Sequence, residues 1–207
     1  MNLPSLDDKT ARLFLLRHGE VEEAYQGIYY GQGDPGLSPA GFGHIERAAK
    51  LLGGQEISAL YSSGLQRSHQ GALLVAERLG FQGKVVKLDG LREIHFGRWQ
   101  GLRFEEVAQK FPEDWEARFQ DIVHFRIPGG ETLVELSARV LGTVREIVER
   151  HRGEAVAVVA HAGPIRAILC DTLDIPLTHV FRIDQHYGAL NVIDFMPDTP
   201  TVRLVNG

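Results

Sequence analysis

Residues 155–160 read Ala-Val-Ala-Val-Val-Ala, six apolar residues with no polar interruption. A strand with one face in water alternates between apolar and polar; a strand covered on both faces does not. This run therefore predicts a sheet buried between two layers of other structure. Arg12-Leu-Phe-Leu-Leu16 is a second run long enough for a buried strand. Ile57–Tyr61, Lys84–Leu88, Gly188–Phe195 and Thr201–Val205 are further strand candidates.

Helices are expected between them. Ser38-Pro39 reads as an N-cap followed by proline at the first helical position, opening a helix that runs through Ala40–Leu52 to the stop at Gly53-Gly54. Leu65–Leu79 reads as helix ending at Gly80, with Ser62 and Ser63 as candidate caps. Thr132 caps a stretch to His151 whose apolar residues Leu133, Leu136, Val140, Val144, Ile147 and Val148 follow helical spacing. Pro164–Leu173 is a last helix. Residues 19–38 are a Gly- and Tyr-rich loop, and 89–130 are irregular with helical pieces at 104–110 and 113–119. This order predicts a three-layer α/β/α fold with a mostly parallel sheet and a small helical cap insertion. We expect one domain over residues 1–207, with 89–130 as the cap.

Charge and composition narrow the function. The formal net charge of −5 argues against bulk attraction to nucleic acid, although a local arginine cluster can still hold a small anion. Cys170 is the single cysteine, so no internal disulfide can form, which suits a reducing cytosol. Residues 1–12 lack the apolar core of a signal peptide, and no apolar run reaches membrane-spanning length. The expectation is a cytoplasmic protein with neither membrane nor nucleic-acid partner. Histidines 44, 69, 95, 124, 151, 179 and 186 show no metal-ligand spacing, so no metal or cofactor is expected; His69, His95 and His186 are candidates for a pocket wall. Trp99, Trp115, Phe104, Phe111 and Phe119 are expected to pack within the cap rather than to form a stacking platform.

In open α/β sheets, ligands bind beyond the carboxyl ends of the strands. The first strand ends in Arg17-His18-Gly19, the second leads into Ser62-Ser63-Gly64-Leu65-Gln66-Arg67, and the Ala155–Ala160 strand ends in His161-Ala162-Gly163. Two histidines and two arginines should thus meet at one edge. Arginine forks hold phosphate oxygens bidentately, a neutral histidine is a competent nucleophile, and glycines let the backbone approach a ligand. The helix that starts after His161 adds free N–H groups.

These residues carry a resemblance. Leu15-Leu16-Arg17-His18-Gly19-Glu20 resembles the nucleophile motif of the histidine phosphatase (phosphoglycerate mutase-like) superfamily. Ser62 to Arg67 resembles its second-arginine motif, Leu91 to Gly101 the segment carrying its acid, and Ala160-His161-Ala162-Gly163-Pro164-Ile165-Arg166 its second-histidine motif. Gly31 to Ser38 and Pro128 to Thr132 resemble the phosphatase branch, and the whole spans roughly residues 12–195 in the family's order.

The resemblance implies that His18 attacks phosphorus and becomes a phosphohistidine. Arg17, Arg67, His161 and the backbone of Ala162 would hold the phosphoryl oxygens. Glu93 would protonate the leaving alkoxide and then activate water. A small phosphorylated substrate is implied, with α-ribazole phosphate of cobalamin biosynthesis as the leading specific candidate. A mutase, a broad-specificity or sugar phosphatase, a metal-dependent hydrolase and a non-catalytic phospho-ligand binding module are the rivals. The chain departs from the family where Ala24 and Val21 stand in place of Asn and Ser or Thr, and at Ser68 and Gly71; Tyr25 or Gln26 are candidates to compensate. Arg166 has two open roles, assisting the phosphate or pairing with an acid.

Overall fold

β1 (Ala11–Arg17) and β4 (Ala155–Ala160) lie side by side at the middle of a six-stranded sheet. The computed structural model describes residues 1 and 3–207. The strand order is β3-β2-β4-β1-β5-β6, with β2 at Ala59–Ser62, β3 at Val85–Lys87, β5 at Leu190–Phe195 and β6 at Thr201–Leu204. Pairings β3/β2, β2/β4 and β4/β1 are parallel; β1/β5 and β5/β6 are antiparallel. The expected mostly parallel sheet is what forms.

Both central strands feed two cores, which is why they are apolar throughout. Leu13 and Leu15 of β1 and Val156 and Val158 of β4 pack on one side with α5 (Leu133–Arg150) and α6 (Ala162–Thr172). Phe14 and Leu16, with Ala157 and Val159, pack on the other with α1 (Pro39–Leu51) and α2 (Gln66–Leu79). The three layers follow from this alternation. The cap contributes α3 (Phe104–Lys110) and α4 (Pro112–Gln120) and a small cluster of its own around Trp99, Val107 and Ile127.

Helix starts largely obey their local signals. Ser38 Oγ accepts from Gly41 N at 3.0 Å, and Thr132 and Glu135 form a reciprocal capping box at 3.1 and 2.9 Å. The serine caps expected for α2 do not form. Ser62 belongs to β2, the N-cap position falls on Leu65, and Asp34 from the 19–38 loop accepts the Gln66 N–H instead. α6 begins two residues before the expected Pro164, directly after His161. β2 starts at Ala59 rather than Ile57. β5 starts at Leu190, because Gly188 turns with φ 72°. A 3-10 turn at Leu177–Arg182 was not foreseen.

Candidate active site

The carboxyl ends of β1, β2 and β4 point to one edge of the sheet, and the charged residues collect there. His18 follows β1 and is locked on both sides: its N–H donates to Ala160 O at 3.0 Å, and its carbonyl accepts from Gly188 N at 3.2 Å. The residue is 1% exposed. Nδ1 lies 2.6 Å from Gly19 O, and Arg67 Nε lies 3.3 Å from Nε2. A carbonyl only accepts and a guanidinium only donates, so the proton sits on Nδ1 and Nε2 keeps its lone pair. Burial, then Arg67 and Arg17, push the His18 pKa well below 6.5 against the opposing Gly19 bond. The ring is therefore neutral at physiological pH with a bare nitrogen facing the arginines.

Arg67 enters from the first turn of α2 and is fully buried. Its Nη1 and Nη2 donate to Gly33 O and Gly31 O at 2.8 and 2.7 Å, and its guanidinium lies over Tyr30 at 4.7 Å. Arg17, at the end of β1, donates through Nη1 to Gln185 O at 2.6 Å and stacks on Tyr187 at 4.0 Å. His161 lies 5.0 Å from His18, centroid to centroid, with Nε2 2.6 Å from Ser63 Oγ. Its pKa is held well below 6.5, by burial first and then by Arg67, His18, Arg17 and Arg139. Arg17 Nε and His161 Nδ1 are buried with no partner among the described residues. A buried, cationic cradle with unused polar atoms is a place built for an anion's oxygens.

Glu93 completes the group from the loop after β3. Its Oε1 accepts from Ile94 N at 2.9 Å and its Oε2 from Gly163 N at 3.2 Å. A Cβ on Gly163 would come within 2.2 Å of Glu93 Oε1, so only glycine lets the carboxylate approach α6. The five side chains named from the sequence thus meet at one edge, beside the backbone of Ala162.

The sequence model described as "Histidine phosphatase superfamily (branch 1)" matches residues 13–207. The chain belongs to the histidine phosphatase superfamily. It is 36% identical over 182 residues to phosphoserine phosphatase 1 of Hydrogenobacter thermophilus, covering 88% of this chain and 85% of that one. It is 27% identical over 198 residues to the adenosylcobalamin/alpha-ribazole phosphatase of Escherichia coli, covering 94% and 95%. The solved structure of Bacillus stearothermophilus YhfR superposes with a TM-score of 0.86 at 29% identity, covering 94% of this chain and 96% of that one.

The cradle opens into a cavity of about 610 Å³ reached past Arg17, Glu93, Ala162 and Gly163. Nine aromatic side chains line it, Trp99, Phe104, Trp115 and Phe119 of the cap among them. The cap aromatics were expected to pack among themselves; these four also form wall, whereas Phe111 packs behind them. His69, His95 and His186 do not line it. Ala24, Tyr25 and Gln26 are exposed, and Gln26 Nε2 donates to Val21 O at 3.3 Å, so Tyr25 and Gln26 take no part in the cradle. Tyr30 from the same loop covers Arg67 instead. Ser68 and Gly71 prove to be packing positions: Ser68 Oγ donates to Val159 O at 2.6 Å, and a Cβ on Gly71 would press on Ile45 and Val159 at 3.3 Å. Arg166 donates to Ile183 O at 2.7 Å and lies 3.9 Å from Asp184, at the cavity wall.

Sequence reasoning missed several supports. Arg139 of α5 binds the carbonyls of Gly90, Arg92 and Glu93 at 3.0, 2.7 and 3.1 Å and pairs with Glu131 at 2.7 Å, which fixes the segment bearing Glu93. Gln185, whose carbonyl holds Arg17, is clamped by reciprocal amide bonds to Asn191 at 2.9 and 2.8 Å. The one available signal was Asn191, which with Asp194 is one of two polar residues in an otherwise apolar strand. Among the described residues no set of three His, Cys, Asp or Glu side chains gathers as a metal site, and no helix is long and apolar enough to cross a membrane.

Proposed function

We propose that this protein hydrolyses phosphomonoesters through a phosphohistidine on His18, without a metal. The observation that carries the reading is the bare Nε2 of a neutral, buried His18 beside the guanidinium of Arg67. In this scheme Nε2 attacks phosphorus in line with the ester oxygen. Arg17, Arg67, His161 and the Ala162 N–H take up the charge that spreads over the equatorial oxygens. Glu93 gives its proton to the departing alkoxide, then removes one from the water that cleaves the P–N bond. Gly163 N and Ile94 N hold the carboxylate in place for both steps.

The cap favours hydrolysis over mutase chemistry. A mutase must hold a second phosphate, yet Arg92, Arg98, Lys110 and Arg126 pair with Asp89, Asp114, Glu106 and Glu135. Three arginines line the cavity, and of these Arg118 alone comes from the cap. The size of the cavity and its nine rings favour a bulky, partly aromatic leaving group, of which α-ribazole 5′-phosphate is an example, over serine.

The test is phosphate release in EDTA from p-nitrophenyl phosphate, α-ribazole 5′-phosphate, phosphoserine and 3-phosphoglycerate, with His18→Ala in parallel. Turnover that survives EDTA, vanishes in His18→Ala and is fastest on the aromatic esters is expected. Activity that needs added metal or persists without His18 would overturn the mechanism. Faster turnover of phosphoserine would overturn the substrate class.

A further inference from the structure

The two cradle arginines are held to different degrees. Arg67 is tied at three nitrogens: Nη1 to Gly33 O, Nη2 to Gly31 O and Nε to His18 Nε2, at 2.8, 2.7 and 3.3 Å. Arg17 makes one side-chain hydrogen bond among the described residues, from Nη1 to Gln185 O at 2.6 Å. A guanidinium tied at one corner can swing about that bond, which would carry its other N–H groups away from a bound oxygen. What remains to fix its plane is the ring of Tyr187, 4.0 Å from the guanidinium carbon. An aromatic face attracts a cation placed over it, and more strongly where water is excluded.

Tyr187 is itself held. It belongs to a strap, residues 185–188, that grips the end of β1 three times. Gln185 O accepts from Arg17, the Tyr187 ring covers Arg17, and Gly188 N donates to His18 O at 3.2 Å. Gly188 has φ 72°, and a Cβ there would come within 2.7 Å of His44 O, so the path of the strap past α1 requires glycine. The Tyr187 ring lies 6.0 Å from that of His44, inclined by 27°, and 5.8 Å from that of His18. It lines the cavity together with Arg17.

We propose that Tyr187 is a positioning residue for phosphoryl transfer: its ring fixes the plane of the Arg17 guanidinium, so that the remaining N–H groups of Arg17 meet the phosphoryl oxygens in the transition state. This rests on the phosphatase reading above. Misplacing such a group by about 1 Å can cost about a hundredfold in rate. The face of the ring carries the effect and the hydroxyl does not. Arg67 also has a ring beside it, Tyr30 at 4.7 Å, but its three hydrogen bonds make it less dependent on that ring.

The experiment is a double-mutant cycle read on p-nitrophenyl phosphate. Tyr187→Leu should lower kcat by about ten- to a hundredfold, and Tyr187→Phe should recover most of that loss. In an Arg17→Ala background Tyr187→Leu should cost less than about twofold, because no guanidinium is left to orient. Replacing Tyr187 by phenylalanines with one, two and three ring fluorines keeps the shape and drains the face of negative charge, so kcat should fall stepwise. This series decides the matter even if Tyr187→Leu folds poorly. A series flat in fluorine overturns the proposal, as does a Leu variant that loses as much without Arg17 as with it. Equal losses in Tyr30→Leu and Tyr187→Leu would overturn it too, since the ring would then count however the arginine is tied. If no ester turns over, the phosphatase reading alone fails. The fluorine series read as Kd for orthovanadate then tests the placing of Arg17: stepwise weakening supports it and an unchanged Kd overturns it.

Discussion

The floor and the wall of this site are built on opposite terms. The floor sits on strand ends, and backbone carbonyls hold its side chains: Gly19 for His18, Gly31 and Gly33 for Arg67, Gln185 for Arg17. The wall is made of rings from short cap helices and loops, in contact at 4.6 to 6.0 Å. A hydrogen-bonded cation cluster in a buried place tolerates little change, since each lost partner leaves an unpaired group. Apolar packing can be reshaped at modest cost if volume is kept. The difference teaches where one chemistry could be fitted to different leaving groups: the wall can be reshaped at modest cost, the floor cannot.

The comparison breaks first at the nucleophile. His18→Ala should lower turnover of every ester by roughly four to six orders of magnitude, read as phosphate release. A protein that kept even a hundredth of its rate would show that the floor does not carry the chemistry. Glu93→Gln should cost about 10²- to 10⁴-fold in turnover of alkyl esters, whereas the single-turnover burst of p-nitrophenol from p-nitrophenyl phosphate, whose leaving group needs no proton, should fall far less. A burst slowed as much as alkyl-ester turnover would contradict the part of Glu93 as the acid.

The floor should also tie stability to pH. His18 and His161 have folded pKa values well below 6.5, chiefly through burial and then through the neighbouring arginines. Below 6.5 the unfolded chain takes up protons that the folded chain refuses. Stability is therefore full above pH 6.5 and falls as pH drops below it, by up to about 1.4 kcal/mol per unit for each histidine. Urea unfolding between pH 7 and 5 should show this, with a shallower slope in His161→Asn; an unchanged slope would contradict it. The wall should give the smallest effect. Phe119 is 68% exposed, so Phe119→Ala should shift stability by less than about 0.5 kcal/mol while changing KM for aromatic esters a few-fold. A large loss of stability would mean that the cap rings bear on the core.

The same division explains what could be read from the chain alone. Strands buried on both faces, the Thr132 cap and the residues after β1, β2 and β4 carry local signals, so the layers and four floor residues, Arg17, His18, Arg67 and His161, were legible, while Glu93 came from the family resemblance alone. The supports were not. Arg139 reaches carbonyls 46 to 49 residues away in the chain, Asn191 clamps a glutamine across a turn, and Asp34 caps a helix 32 residues on. Such bonds depend on which backbone groups the fold brings near, and no spacing encodes them. The wall rings do pack on one another as expected, and their second part as cavity wall was hidden for the same reason: no spacing shows which face of a cap helix borders a cavity.

β1 is paired along both edges, by β4 and by β5, and His18 is tied at both its N–H and its carbonyl. No partial fraying of the sheet can release it, because the strands at risk of fraying are β3 and β6 at the margins. His18 is therefore released only when the central strands themselves come apart. Heat inactivation should then trace the global melting curve point for point, and a residual rate would serve as a direct gauge of how much folded protein remains.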